Sequence, residues 1–429
     1  MAVVGNPVLH SLSPVLMNAA IKENNLDCRY LRFPAKYVDE AIKTFKELGF
    51  KGLNVTAPFK QDVIPYLQHL TQNAEKARAV NTVYLKDGEL WGDNTDITGV
   101  ELSLKKYPEY LAAGKMLVIG SGGAAPAVII AGQNLGLHVT VAARNRVALE
   151  DLKERLGVRT MGLQYLSDVI NEFPVIVQAL PSGAKVFDPE ILTKDHIVLD
   201  ANYKDSIFEK PSQAIGFKYL NGKNWLVNQA VPGFELFTGK PVAPEVMYKA
   251  LDEYHFKYEG RIALTGFMGV GKTTSGRELA ALTGYKFVDL DHEIEHREGM
   301  KISDIFKTKG EEYFRVLETK MLDEFADAKN IILSCGGGTI KSEHNRQTLR
   351  EKFVNIWLYA PAAYCIDGLS VSNRPLLQCD NPLEAAEKLL AERVPLYVDS
   401  AYAIVNVENL NRSKVALKIY EQIYQTFGL

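Results

Sequence analysis

Short apolar runs alternate with longer amphipathic stretches along this chain, a rhythm that predicts strands and helices in turn. Ala2-Val-Val-Gly is an abrupt apolar start, followed by a polar loop from Asn6 to Pro14 whose serines precede a helix from about Val15 to Lys22. A strand (Arg29 to Pro34) and a helix (Val38 to Leu48) come next, and then an apolar run from Gly52 that ends in Asn-x-Thr and a loop carrying Lys60. Ala79 to Leu85 alternates like a strand, Lys86 to Glu89 reads as a hairpin turn, and Trp91 to Ile97 sets a polar cluster before another helix, where Asp93 and Asp96 are candidates for capping. Further strands are expected near Lys115, at His138 to Ala142, Val175 to Ala179 and His196 to Asn202. After a helix from Pro244 to Tyr254, strands are expected at Arg261 to Thr265 and from Lys286. The alternation predicts α/β folds with mainly parallel sheets.

Two glycine-rich junctions give this pattern chemical meaning. Gly266 to Thr274 reads GFMGVGKTT, and G-x-x-x-x-G-K-[ST] between a strand and a helix (Ser275 to Leu282) is a phosphate cradle. Its glycines let backbone N–H groups point inward, and the helix N-terminus adds partial positive charge. Gly269, Val270, Gly271 and Thr274 line this loop, Lys272 would reach the outer phosphates of ATP, and the Thr273 hydroxyl would ligate Mg2+. The strand from Lys286 ends in Asp289 and Asp291, which at alternate positions would share a face suited to a metal and a hydroxyl.

The second junction, Lys115 to Ala127, runs from a strand through Gly120, Ser121, Gly122, Gly123, Ala124 and Ala125 into a helix, with another strand at the spacing of a dinucleotide-binding βαβ unit. An acid at the end of that second strand would select NAD. Ala143-Arg-Asn-Arg146 holds none, so Arg144 is free to meet a 2′-phosphate and NADP(H) is expected.

Composition narrows the classes. At 429 residues the chain exceeds one ordinary core. Its net charge of −3 gives no nucleic-acid or membrane-surface footprint. Cys28, Cys335, Cys365 and Cys379 show no metal-ligand spacing, and Met1-Ala-Val-Val lacks a basic leader. A reduced, cytoplasmic setting is the reading, with small-molecule substrates, no nucleic acid and no membrane; the oligomeric state stays open.

GNPVLHSLSP, NVTAPFK, AVNT and GDNTD, in this order, resemble the substrate domain of shikimate dehydrogenase. The resemblance implies that Lys60 and Asp96 are a catalytic pair, with Lys60 either donating a proton or stabilising charge. It also implies that Ser11, Ser13, Thr56, Asn81 and Gln229 bind the substrate's hydroxyls and carboxylate. Asn221 to Gly239 resembles the family's helix returning to the substrate lobe. Ala143, Asn145 and Pro126 depart from that family's pattern, while Arg144 keeps the phosphate-binding position.

The P-loop, Gly310 to Glu318, Ser334 to Thr339, Arg374 to Leu377 and Glu392 to Tyr397 resemble shikimate kinase. That resemblance implies Asp289 on Mg2+, Asp291 on the attacking hydroxyl, and Arg315, Gly336, Gly337, Gly338 and Arg393 on shikimate. Arg374 would close over the phosphates from a lid at 369–380. Asp367 stands where many shikimate kinases have an arginine against adenine.

The expected architecture is therefore a two-lobed dehydrogenase at 1–255 (substrate lobe 1–97 and about 226–255, Rossmann NADP lobe 98–225). A short linker follows at 256–260, and then a P-loop kinase of the nucleoside monophosphate kinase type at 261–429. The expected function is bifunctional: NADPH reduces 3-dehydroshikimate to shikimate, and MgATP phosphorylates it on the 3-hydroxyl, in aromatic amino-acid biosynthesis. Two other readings are a relaxed quinate/shikimate dehydrogenase fused to the kinase, and a non-catalytic regulator built from these domains.

Overall fold

Regular strands form wherever the apolar runs are short and bounded by glycine or polar residues. The computed structural model describes residues 1–181, 183–203, 206–367, 377 and 379–428. Before residue 100 its strands are β1 (Ala2–Gly5), β2 (Leu31–Pro34), β3 (Gly52–Val55), β4 (His69–Leu70), β5 (Thr82–Lys86) and β6 (Glu89–Asp93). β7 (Lys115–Ile119), β8 (His138–Ala143), β9 (Arg159–Gly162), β10 (Val175–Gln178), β11 (Ile197–Asp200) and β12 (Lys218–Leu220) follow. The last third holds β13 (Arg261–Gly266), β14 (Lys286–Asp289), β15 (Ile331–Ser334), β16 (Val354–Tyr359) and β17 (Ala403–Asn406).

The chain packs as two compact units. One comprises Met1, Leu12–Cys28 and Gly49–Tyr254, the other Ala2–Ser11, Arg29–Leu48 and His255–Leu429.

In the first unit a six-stranded sheet runs β12-β11-β10-β7-β8-β9, every pair parallel. This is the doubly wound order, in which the direction of growth reverses at β7. Met116 and Val118 face one core, with the helix Ala125–Asn134, while Leu117 and Ile119 face the other. Burial on both faces explains why β7 reads as a continuous apolar run instead of an alternating one. The other sheet segment of this unit, β3-β5-β6-β4, is antiparallel through β3, β5 and β6. Its hairpin turns at Asp87 (φ 54°) and Gly88 (φ 83°), the left-handed pair that a tight two-residue turn needs. The helix Gly222–Thr238 lies against these strands and packs on the helix Thr95–Leu104, whose Ile97, Val100 and Leu104 join the core that Met116 and Val118 face. Gly99 sets their separation, since a Cβ there would meet Gln229 Cβ and Trp225 Cδ1, each at 2.8 Å.

The second unit is a parallel sheet in the order β14-β15-β13-β16-β17-β2-β1. β17 pairs with β2 through Ala403 and Arg32, so an edge that would otherwise offer unpaired backbone groups is covered by strands from the start of the chain. Long-range strand pairing leaves no local signature, which is why the amino-acid pattern assigns 2–11 and 29–48 to the first half. Nor is the expected linker a loose tether. Phe256 packs on Tyr402 (ring centroids 5.4 Å apart), Tyr258 stacks on Phe427 at 4.3 Å, and Glu259 pairs with Arg261 at 2.7 Å.

Three local boundaries differ from the expectation. The first helix begins at Ser13, with Leu12 and not a serine at its cap. The P-loop helix is Lys272–Thr283, starting three residues early because Gly271 (φ 97°) serves as its N-cap. β14 ends at Asp289, so Asp291 does not share a strand face with it; Asp289 caps the helix Leu290–Glu298 and Asp291 sits in that helix's first turn. Among the described residues no helix is long and apolar enough to cross a membrane.

Candidate active sites

In the first unit the loop after β3 and the helix Thr95–Leu104 bring opposite charges together. Lys60 Nζ lies 2.6 Å from Asp96 Oδ2, and both side chains are largely shielded from solvent. Position is fixed by backbone: Val80 N–H donates to the Lys60 carbonyl at 2.8 Å, and Asp96 occupies the first turn of its helix. The neighbouring Asn81 is the hub of a buried amide and hydroxyl network. Its Nδ2 donates to Thr95 Oγ1 (3.1 Å) and to Gln229 Oε1 (3.4 Å), and its Oδ1 accepts from Thr95 N (2.8 Å) and Thr82 Oγ1 (2.9 Å).

The structure therefore assembles Lys60, Asp96, Asn81 and Gln229 from four separate stretches of chain. Thr56, half-buried just after β3, turns the loop through its carbonyl, which accepts from Phe59 N at 3.0 Å. Ser13 is buried in the first unit, and Ser11 belongs to the second, where its carbonyl accepts from Arg32 Nε at 3.1 Å. Thr95 and Thr82 were missed as site residues; their only signal was membership of the GDNTD and AVNT strings.

Gly120, with φ of 121°, ends β7 where the backbone of β10 passes close by: a Cβ would lie 2.7 Å from the Ala179 carbonyl oxygen. Ser121 and Ala124 are half-buried, Gly122 and Gly123 are exposed with nothing within 4 Å of an added Cβ, and Ala125 opens the helix with Pro126 in its first turn. An open glycine turn at a helix N-terminus and at the reversal of strand order is a cradle that fits a pyrophosphate. Exposed Arg144 follows β8, whose end is level with that of β7, and Asn145 caps the next helix through Ala148 N at 3.1 Å.

In the second unit, β13 enters a loop whose Gly266 (φ 145°), Gly269 (φ 77°) and Gly271 (φ 97°) take conformations that other residues rarely adopt. Val270 is buried beneath the loop, and Thr274 lies in the first turn of the following helix. Lys272 Nζ donates to the carbonyls of Gly266 (2.9 Å) and Phe267 (3.1 Å), and burial lowers its pKa despite nearby Asp291. Thr273 Oγ1 donates to Asp289 Oδ2 at 2.6 Å, an all-oxygen pair that fits Mg2+ completed by phosphates.

Next to this loop, burial pushes the Asp291 carboxyl up to about 6, with Glu318 and Asp289 adding to the rise. Gly336 allows that crowding: a Cβ would sit 2.6 Å from Asp291 Oδ1 and 2.8 Å from Glu318 Oε1. Gly338 makes room for Arg315 in the same way, and the Gly337 carbonyl accepts from Arg393 Nη1 at 2.9 Å. Arg393 is buried, and its Nε has no hydrogen-bond partner among the described residues, a donor suited to an anionic ligand.

Glu318 was missed by the reading of the sequence. It is 1% exposed, receives Arg315 Nη1 at 2.8 Å and Thr339 Oγ1 at 2.5 Å, and so holds Arg315 in place. Its signal was the three-residue spacing from Arg315. Arg412 was also missed; it donates to the Val270 (2.8 Å) and Gly269 (3.3 Å) carbonyls and braces the phosphate loop. Asp367 is exposed at a helix C-terminus, and Arg374 with most of the expected lid lies outside the described residues.

Comparison with known proteins bears on both halves of the sequence. Family models match for the shikimate dehydrogenase substrate binding domain at residues 3–83, the shikimate 5′-dehydrogenase C-terminal domain at 226–251 and shikimate kinase at 268–424. Shikimate dehydrogenase (NADP(+)) of Aquifex aeolicus is 35% identical over 256 residues, 58% of this chain and 94% of that protein. The Thermus thermophilus shikimate 5-dehydrogenase, solved with NADP(H) and shikimate, is 30% identical with a TM-score of 0.53 over 58% of this chain and 97% of that one. A quinate dehydrogenase from Corynebacterium glutamicum, solved with NAD, is 27% identical with a TM-score of 0.55, covering 59% of this chain and 98% of that one. The chain belongs to the shikimate dehydrogenase family, and it carries a shikimate kinase domain at residues 268–424.

Proposed function

We propose that this chain is a bifunctional enzyme that reduces 3-dehydroshikimate to shikimate and then phosphorylates shikimate to shikimate 3-phosphate. It uses NADP(H), ATP and Mg2+. The observation that carries the reading is the presence in one chain of two complete constellations, the Lys60–Asp96 pair and the P-loop with Asp291 and Arg315.

The Gly120 turn and Arg144 would hold NADPH, which would supply the hydride that reduces the ketone carbon. The chain's own part is to manage the oxygen. As the carbonyl gains negative charge, the Lys60 ammonium, held by Asp96, faces it as proton donor or as stabilising charge. Ser11, Ser13, Thr56, Asn81 and Gln229 orient the ring hydroxyls and carboxylate, and Thr95 keeps Asn81 and Gln229 aligned.

In the kinase reaction ATP with Mg2+ supplies the phosphoryl group. Gly269 to Thr274 would hold its phosphates through backbone N–H groups and the Lys272 ammonium, and Thr273 and Asp289 would hold the metal. Asp291 orients the 3-hydroxyl and accepts its proton, while Arg315, Arg393 and the 336–338 turn bind the carboxylate. Arg374 would close over the phosphates. We assign the two catalytic modules to residues 1–255 and 261–429 and their setting to the cytoplasm.

Mass spectrometry of the products formed from 3-dehydroshikimate, NADPH and MgATP tests this directly. Shikimate 3-phosphate is the expected product, and the absence of reduction would overturn the enzymatic reading in favour of a regulator. Parallel assays with quinate and NAD+ test for a relaxed quinate/shikimate dehydrogenase.

A further inference from the structure

The glycines that let the phosphate loop bend also leave its peptide groups loosely held. The two between Gly269 (φ 77°) and Gly271 (φ 97°), Gly269–Val270 and Val270–Gly271, each have on one side a glycine torsion that no side chain restrains. In a trans peptide the carbonyl and the following N–H point opposite ways, so a rotated group would offer a phosphate an oxygen where a donor is needed. Arg412 holds both carbonyls from outside the loop. Its Nη1 donates to the Val270 carbonyl at 2.8 Å and its Nη2 to the Gly269 carbonyl at 3.3 Å. The fit is close, since a Cβ on Gly271 would lie 2.4 Å from Arg412 Cζ. Lys272 holds the start of the loop through the Gly266 and Phe267 carbonyls, so the two cations divide the loop's carbonyls without sharing one.

The place of Arg412 is not explained by its own helix. It opens the helix Arg412–Phe427 behind the cap Asn411, whose side chain accepts from Lys414 N at 2.9 Å. A cation there opposes the helix macrodipole, and no acid stands in that first turn. Arg315 pairs with Glu311 and Glu318, whereas among the described residues Arg412 forms no ion pair. The helix packs on the P-loop helix Lys272–Thr283, which gives the guanidinium a rigid mount.

We propose that Arg412 is a positioning residue for ATP: its guanidinium fork holds the Gly269 and Val270 carbonyls outward and so turns the Gly271 N–H toward the phosphates. The proposal rests on the reading that this loop binds ATP. Two carbonyls on consecutive residues need two donors side by side, which a guanidinium supplies and an ammonium does not. Shikimate is assigned to other elements, Arg393 and the 336–338 turn, so the effect is confined to the nucleotide.

The test uses the full chain, with MgATP binding measured by isothermal titration calorimetry and shikimate phosphorylation followed on each variant. Arg412→Ala is expected to raise Kd and KM for MgATP about tenfold, with KM for shikimate unchanged. Arg412→Lys keeps the charge and one bond, for a rise of about threefold. Inorganic tripolyphosphate, competing with ATP, should weaken by the same factor as ATP, because the fault lies in the loop's hold on phosphate. An unchanged inhibition constant for tripolyphosphate would put Arg412 against the nucleoside and overturn the proposal, as would an equal rise in KM for shikimate. If Arg412→Ala loses its folded circular dichroism spectrum, Arg412→Lys decides alone. Lys272→Ala separates the brace from the loop it serves. Weaker MgATP binding in Lys272→Ala with none in the Arg412 variants overturns the proposal and leaves the phosphate-loop reading intact. Unchanged binding in Lys272→Ala overturns both.

Discussion

The polar cluster of the first unit and that of the second solve different chemical problems with different materials. Among the described residues, Lys60 and Asp96 form one ion pair beside amides and hydroxyls, Asn81, Thr82, Thr95 and Gln229, joined in one hydrogen-bonded network. Around Lys272 there are three carboxylates, Asp289, Asp291 and Glu318, set against Lys272, Arg315 and Arg393, with Glu318 and Arg393 buried and the others partly so. Reducing a ketone on a small hydroxylated carboxylate moves one hydride and one proton and asks mainly for orientation, which hydrogen bonds supply. Moving a phosphoryl group concentrates negative charge, which fixed cations and a metal must balance. The difference shows in Asp291, whose carboxyl burial and its acidic neighbours push up to about 6.

Because both clusters lie in one chain, each variant carries its own control, and the largest effects are the ones that break one side alone. Lys60→Ala is expected to lower dehydrogenase kcat by about 10^3-fold or more and leave shikimate phosphorylation untouched. Lys272→Ala should do the reverse, costing the kinase on the order of 10^3-fold while shikimate oxidation persists. Loss of both activities from either change would show that the sites are not separable.

pH sharpens the contrast further. Asp291 must be ionised to accept the hydroxyl proton, so kinase kcat/KM should fall about tenfold per pH unit below about pH 6, and Asp291→Asn should abolish that limb together with most of the rate. The same group bears on stability with a defined sign. Its folded pKa lies above the ordinary aspartate value of 3.8, so the folded state binds the extra proton; its favourable contribution is full below that value and is lost as pH rises to about 6. Asp291→Asn, which stays neutral, should therefore raise the Tm at pH 8 relative to the unaltered chain, as differential scanning calorimetry would show.

Two smaller effects belong to the first unit. Arg144→Ala should raise KM for NADPH by roughly 10- to 100-fold through loss of a charge-assisted contact, and barely alter that for NADH. Thr95→Val removes the hydroxyl between Asn81 and Gln229, and a rise of about threefold to tenfold in KM for shikimate, without change in KM for NADPH, is the expected result.

Much of this was legible before any coordinates. The glycines of the P-loop announce a backbone that needs positive φ, and Gly266, Gly269 and Gly271 adopt it. The doubly wound sheet was foreshadowed by alternating strands and helices with a glycine turn after β7. Glu318 and Arg412 were not read, because an acid inside a helix and an arginine near a C-terminal helix look like surface charge until a fold turns them inward. Asp291 was placed on the wrong element, since local pattern fixes where a strand begins better than the residue at which it yields to a helix.

The sequence by itself determined the kinds of chemistry on offer: a glycine loop suited to phosphate, a β8 end without the acid that would select NAD, and side chains able to carry a proton. Those properties reside in residue type and short spacing. Only the tertiary structure decided that Lys60 meets Asp96 at 2.6 Å, that Asp291 is buried beside Glu318, and that β2 joins the edge of β17 while Arg412 braces the phosphate loop. These arise from contacts between stretches far apart in the chain, selected by the need to cover strand edges and to pair buried polar groups, and no local pattern encodes that choice.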